Sequence, residues 1–344
     1  MAVEHDPGSD WTEPGVFRVL PGVYRIPLPL PQDGLRAVNV YAIEHEGGLV
    51  LVDGGWAVEQ ARDRLQHMLA ALGSGLGDVS RFLVTHVHRD HYTQAVTLRR
   101  EFGGRVSLGR GEEPSLRAAA DPTRRRWGAH VDRLRGCGAS PVVERLLAAY
   151  PDEGADVSVW EAPDDWIDDG SDIVLETRTL RALSTPGHTR GHLVFVDREA
   201  GAVFAGDHVL PHITPSIAFE AEPPELPLRG YLESLRLMRT LPDMLLLPAH
   251  GPVADSVHAR VDELLAHHDA RLEAAAGTVE AGATTAYEAG RMLTWTRRNR
   301  VFDDLDPFNQ MLAVLETAVH LDLLCAQGRL RSSAADGVTQ YAPG

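Results

Sequence analysis

Cysteine is almost absent: Cys137 and Cys325 are the only two in 344 residues. They stand in unrelated settings, so two incidental thiols are the reading ahead of a disulfide or a ligand pair, and a reducing, cytoplasmic setting fits. No apolar run reaches the roughly 18 residues that a membrane span needs. Met1 to Asp10 is polar and acidic, without the apolar centre of an export signal. Positive charge is scarce as well: 33 Lys and Arg face 49 Asp and Glu, for a net charge of −16. That sign weighs against nucleic acid or an anionic membrane as the default partner, because both are held chiefly through basic side chains. No internal repeat is present.

What remains is an ordinary globular composition, 44% hydrophobic and 24% charged, with a length that suggests roughly two domains. A short strand is expected around Val23 to Ile26, with the prolines after it demoting Leu28 to Pro31 to an edge or loop. Ala37 to Ile43 and Gly48 to Val52 read as a hairpin and Trp56 to Leu72 as a helix. Phe82 to Val84 reads as a buried strand and Gln94 to Phe102 as a second helix. This alternation is an α/β order. Residues 109–156 break it with three short Arg- and Ala-rich helical stretches, either a lid that sets substrate choice or a solvated surface decoration. Arg124-Arg125-Arg126 within them reads as a solvated face ahead of an anion site. Strands resume at Ile173, and from residue 256 the texture is helical, ending in a small β-wing. The expected division is a loose N-terminal tail (1–15), a catalytic domain (16–255) carrying the 109–156 insertion, and a C-terminal helical module (256–344).

Four side chains able to bind metal crowd Thr85-His86-Val87-His88-Arg89-Asp90-His91, where a strand should end and a loop open, a usual place for a site in a layered α/β protein. His86 and His88 are two apart and point the same way along an extended chain, so they can share an ion. Asp90 and His91, after a turn, can face a second one; imidazole and carboxylate together suit zinc, iron or manganese. Two ions need more ligands, and later strand ends supply candidates. These are His188 and His192 on a Pro186-Gly187 turn, Asp207 and His208 after Gly206, and His250 before Gly251. Asp53 ends an earlier strand, where Gly54-Gly55 permits a sharp turn. Taken singly, each is more often a turn residue, but the recurrence behind the dense cluster favours ligation.

The ordered motifs T-H-x-H-x-D-H (85–91), P-G-H-T-x-G-H (186–192), G-D (206–207) and A-H-G (249–251) resemble those of metallo-β-lactamase-fold hydrolases, over about residues 16–255. The resemblance implies an αββα sandwich with the site along one edge. It implies His86, His88 and His188 on one ion, Asp90, His91 and His250 on the other, and Asp207 bridging both. Asp53 would orient the ligands from behind, and His192 and His208 are left as hydrogen-bonding neighbours. The C-terminal module resembles the winged-helix-like tail of the β-lactamase-like protein 2 branch, which includes a single-stranded RNA endonuclease and carrier-protein thioesterases. The catalytic half is similar to glyoxalase II-like thioesterases. Tyr92-Thr93-Gln94 departs from these relatives, which carry a small Gly-Gly pair there, and the departure bears on how closely their usual substrate could approach the backbone.

Two ions about 3.5–4 Å apart can lower the pKa of a shared water toward about 7 and hold hydroxide ready at neutral pH. The expected activity is therefore dinuclear metal-dependent hydrolysis of an ester, thioester or lactone bond in a small-molecule or carrier-bound acyl substrate. Its cofactors would be two divalent ions, zinc first, with iron or manganese as alternatives. Asp90 would bind metal and orient the nucleophile, and Tyr92 either donates to a developing oxyanion or simply packs. No Ser or Cys nucleophile is required, and no G-x-S-x-G elbow is present. One alternative is metal-dependent cleavage of RNA or another phosphodiester, which the net acidity opposes. Another is a non-catalytic regulator on the same fold, opposed by the full ligand set. A third is an oxygen-using di-iron enzyme, since Asp90 and Asp207 are hard ligands. A homodimer through the helical tail stays open.

Overall fold

A computed structural model describes residues 3–4, 10–31, 33–151, 157–296 and 298–344. Its apolar runs build two sheets. The first has eight strands in chain order: Val3–Glu4, Phe17–Leu20, Val23–Pro29, Ala37–His45, Gly48–Val52, Val79–Val84, Arg105–Gly109 and Asp165–Ile167. The second has five, in the order Leu245–Pro248, Ala202–Gly206, Leu193–Asp197, Arg178–Ser184, Asp172–Leu175.

The strand Gly48–Val52 shows how the layers arise. Side chains alternate across a strand, so Leu49 and Leu51 enter one buried cluster while Val50 and Val52 enter another. Leu51 joins Phe82 and Val84 against Leu65 and Leu69 of helix Glu59–Ala71 and Ala95 and Val96 of helix Arg89–Phe102. Val50 and Val52 join Tyr41 and Leu83 against Leu180, Phe195, Phe204 and Leu247 of the second sheet. Tyr41 stands edge-on to Phe204 at 5.3 Å. Burial on both faces is why the strand reads as an unbroken apolar run, and the sheet-on-sheet sandwich matches the expected class.

Strands Gly48–Val52, Val79–Val84 and Arg105–Gly109 are parallel, so their C-terminal ends share one edge. In the second sheet Ala202–Gly206 runs parallel to Leu245–Pro248, with Gly206 opposite Pro248. Backbone bonds tie these ends together: Leu193 N donates to Thr85 O at 2.8 Å and Asn39 N to Ala249 O at 2.7 Å.

Several boundaries differ from expectation. The second helix begins at Arg89 rather than Gln94, so Asp90 and His91 lie in its first turn and not on a loop. Pro27 and Pro29 belong to a strand. Its neighbour Phe17–Leu20 reaches only as far as Arg25, so both prolines lie where the strand is paired on one side, which spares the missing N–H. Of the tail expected over 1–15, residues 1, 2 and 5–9 lie outside the described residues, and Val3–Glu4 pairs parallel with Phe17–Leu20.

The chain forms two compact units, one of residues 1–120, 157–215 and 234–261 and one of residues 121–156, 216–233 and 262–344. The first holds both sheets. In the second, helices Gly128–Gly136 and Ser140–Ala149 pack with Pro307–Ala326. Trp127, Tyr150, Phe219 and Phe308 form an aromatic cluster there, with Phe219 and Phe308 centroids 5.7 Å apart. A solvated decoration therefore does not describe the inserted helices. Residues 152–156, also expected in the insertion, lie outside the described residues.

Helix Ala286–Met292 starts in a Thr285/Glu288 capping box and Pro307–Ala326 on Asp306, whose carboxylate accepts from Phe308 N and Asn309 N. A hairpin, Leu330–Ala335 with Val338–Pro343, closes the chain. Among the described residues no helix is long and apolar enough to cross a membrane.

Candidate metal centre

Asp53 ends its strand in the left-handed region, φ 62°, a conformation that Asp tolerates better than most residues. Gly54 must follow, because a Cβ there would stand 2.7 Å from Ala95 N. Helix Arg89–Phe102 thus docks on the turn, with Gly54 N donating to His91 O at 2.8 Å. The buried Asp53 carboxylate accepts from Thr85 N at 2.8 Å and receives His91 Nδ1 at 2.9 Å. Thr85 Oγ1 donates to the same carboxylate and takes His86 Nδ1 at 3.0 Å.

His250 is anchored likewise: its Nδ1 lies 2.8 Å from Ala37 O. With Nδ1–H committed on His86, His91 and His250, each Nε2 presents its lone pair to the centre.

These lone pairs converge. His86 Nε2 and His188 Nε2 each lie 3.0 Å from His88 Nδ1. His250 Nε2 is 3.3 Å and His91 Nε2 3.6 Å from Asp90 Oδ2. Asp207 Oδ2 is 3.5 Å from His188 Nε2, while Oδ1 is 3.4 Å from His250 Nε2 and 3.6 Å from His91 Nε2. Asp207 owes its place to Gly206, φ 51°, where a Cβ would meet His192 Nε2 at 2.7 Å. His192 accepts from Asp207 N at 3.1 Å and turns its Nδ1 to Thr185 Oγ1 at 2.9 Å. His208 is fully buried, and burial holds its pKa near about 3.

The donor set fits divalent cations. His91 Nε2, His250 Nε2 and Asp207 Oδ1 are buried without a hydrogen-bond partner, which costs about 1–3 kcal/mol per group unless something is bound to it. Burial pushes His86 and His88 well below their ordinary range, into the neutral form that ligates metal. Burial also opposes charge on His91, yet Asp53, Asp90 and Asp207 outweigh it and raise that imidazole to about 10. Burial favours the neutral form of Asp90, but His91 and His250 hold its carboxyl below the usual range. The carboxylates thus impose a field that retains positive charge at this spot.

Tyr92, a candidate oxyanion donor on sequence, is placed elsewhere. Its ring is fully buried against Trp160, and its hydroxyl donates to Glu161 O at 2.5 Å. Of the two sequence readings the structure gives it packing. Thr93 and Gln94 also turn away from the donors: Thr93 Oγ1 accepts from Ala57 N at 2.9 Å, and Gln94 Nε2 donates to Gly54 O at 2.9 Å. The departure at 92–94 therefore fills the helix–turn contact.

Residues outside the sequence reading complete the support. Asn39 Nδ2 donates to Pro248 O at 3.0 Å and Gly251 O at 2.8 Å, bracketing His250, and Tyr41 Oη donates to Pro248 O at 2.8 Å. The buried Arg25 donates to Asn39 Oδ1 at 3.0 Å. The available signal was a polar residue inside each of two apolar strand runs.

Residues 33–250 match the metallo-beta-lactamase superfamily. A probable metallo-hydrolase of Bacillus subtilis (strain 168) is 26% identical over 92% of this chain and 95% of its own length. An atrochrysone carboxyl ACP thioesterase of Aspergillus fumigatus is 27% identical over 75% of this chain, which spans 62% of that protein. The chain spans little more than half the length of the lactamase-like proteins it also matches. Among solved structures, a beta-lactamase domain protein from Burkholderia ambifaria superposes with a TM-score of 0.78 at 29% identity, covering 98% of this chain and 96% of that one.

Proposed function

Because the chain belongs to the metallo-β-lactamase superfamily, we propose that it is a metal-dependent hydrolase that cleaves an ester, thioester or lactone bond. The observation that carries this reading is Asp207, whose two oxygens face different donors, Oδ2 toward His188 and Oδ1 toward His91 and His250. His86, His88 and His188 would hold one divalent ion, Asp90, His91 and His250 a second, and Asp207 both. Five imidazoles and two carboxylates suit zinc first, then iron or manganese.

Bound there, such ions would make a water acidic enough to attack at neutral pH and would polarise the acyl oxygen. The chain's own part is positioning. Asp53, Thr85 and Ala37 O fix the ring orientations. The Asp90 side chain is 15% exposed against 8% for Asp207, so it is the carboxylate best placed to accept a proton from the attacking water and aim it. Burial raises the Cys137 thiol to about 12 and shifts the Cys325 thiol upward as well, so neither cysteine offers a ready thiolate.

A small or carrier-bound acyl thioester is the preferred substrate. The likeness to a protein named as an ACP thioesterase supports that class, and a net charge of −16 disfavours a polyanion. The test is a screen of acyl thioesters, lactones and short RNA with metal-loaded protein and its Asp207→Ala variant. Thioester or lactone turnover that disappears in the variant is expected. Turnover of RNA alone would replace the substrate class, and full activity in Asp207→Ala would sink the centre.

A further inference from the structure

Another group of donors converges in the second unit. His268 of helix Val257–Glu280 and Glu316 and His320 of helix Pro307–Ala326 bring one donor atom each within 4.8 Å of one another. Glu316 and His320 are four apart and share a helix face. His268 and His320 are 1% and 2% exposed, and His268 Nδ1 stands 3.2 Å from His320 Nε2.

The protons on these rings do not balance. His320 Nδ1 faces the Glu316 backbone O at 2.7 Å, so Nδ1 carries the proton and Nε2 presents a lone pair. If His268 donates from Nδ1 to that lone pair, its own Nε2 is left a bare buried acceptor, and this atom indeed has no hydrogen-bond partner. If His268 carries its proton on Nε2 instead, that N–H is unmatched and two lone pairs oppose each other at 3.2 Å. A cation between the rings removes the opposition of the two lone pairs and leaves the His268 Nε2–H as the single unmatched group.

We propose that His268 Nδ1, His320 Nε2 and the Glu316 carboxylate form a further metal site, separate from the hydrolytic centre, that takes one zinc-like divalent ion. Two imidazole nitrogens about 2.0–2.1 Å from a shared tetrahedral ion lie about 3.3 Å apart, close to the separation seen. A ring N–H given to a backbone carbonyl is the arrangement that fixes a ligating histidine. Glu316 accepts from Ile217 N at 3.1 Å, and burial raises its carboxyl to about 7, so it gains from a neighbouring cation.

The charged groups nearby are Arg271 and Arg133, which oppose a cation. Arg271 donates to Thr294 O at 3.0 Å and lies 4.5 Å over Trp295, and Arg133 donates to Ala218 O and Glu220 O at 2.8 Å. His267 is exposed beside His268, and the Tyr231 ring packs edge-on to His268 at 5.4 Å. The ion would clamp the two helices and act structurally.

The test compares zinc content after dialysis in wild type, His268→Gln, His320→Gln and His86→Ala. His268→Gln and His320→Gln should each lose about one zinc per chain with hydrolytic turnover kept, whereas His86→Ala should lose turnover and still hold this ion. Unchanged zinc in both helix variants would overturn the site. Because a buried substitution can unfold the helices, zinc-edge anomalous diffraction from wild-type crystals equilibrated with zinc is the second measurement. A peak between His268 and His320 supports the site; a blank map there overturns it and leaves a hydrogen-bonded pair of rings.

Discussion

Asp53 and His91 are 38 positions apart in the chain, and the Oδ2 of one lies 2.9 Å from the Nδ1 of the other. The same carboxylate receives Thr85 N at 2.8 Å, so one buried anion sets both the strand end before His86 and the helix turn that carries His91. Asp53→Asn keeps the shape and tolerates the left-handed backbone, but it loses the charge and replaces an acceptor with a donor. Metal affinity should fall about 10–100-fold, measured by competition with a chromophoric chelator. Affinity equal to wild type would deny Asp53 its orienting role.

Asn39→Leu removes the amide that brackets His250 and takes the donor from Gly251 O, while Pro248 O keeps Tyr41 Oη and Arg25 keeps Trp11 O. A loss of about 1–3 kcal/mol in urea unfolding is expected, the cost of one unmatched buried group. Ion content should fall with it, and unchanged stability would show that the bracket is dispensable.

The stretches that carry the candidate donors were legible because each ends an apolar run beside glycine or a turn. Asn39 and Arg25 were not, since what defines Asn39 is contact with residues 209 and 212 positions away. The early start of helix Arg89–Phe102 was hidden because His88 makes no side-chain cap, so the usual start signal is missing. The grouping of residues 121–156 with 262–344 was invisible for a different reason. Periodicity reveals that a helix has an apolar face, not which element covers it.

Tyr92→Phe separates packing from catalysis. With its hydroxyl given to Glu161 O, the variant should keep turnover and lose only about 0.5–1.5 kcal/mol of stability. A drop in kcat of about a hundredfold would restore it as an oxyanion donor.

His130 provides a pH signature away from the metal centre. Burial lowers it from its ordinary 6.5 to about 4, its Nε2 donates to Phe219 O at 2.8 Å, and its ring packs by Trp127. Between those pH values the unfolded chain binds the proton and the folded chain does not, so stability rises with pH there. Its contribution is full above about 6.5 and is lost as pH falls through the window toward about 4. His130→Phe should flatten the acid limb of stability against pH by up to one proton, read from urea midpoints. An unchanged slope would mean that the ring is not buried neutral.

The bond from His250 Nδ1 to Ala37 O spans 213 positions, and it bears on the order of events in biosynthesis. A nascent chain displays His86, His88, Asp90 and His91 long before residue 250 leaves the ribosome, but the full set of donors exists only once the two sheets have met. Capture of an ion by the whole donor set would therefore follow folding instead of nucleating it. An ion that binds only the finished fold slows unfolding more than it speeds folding, and a chain cut short before residue 250 cannot close the centre.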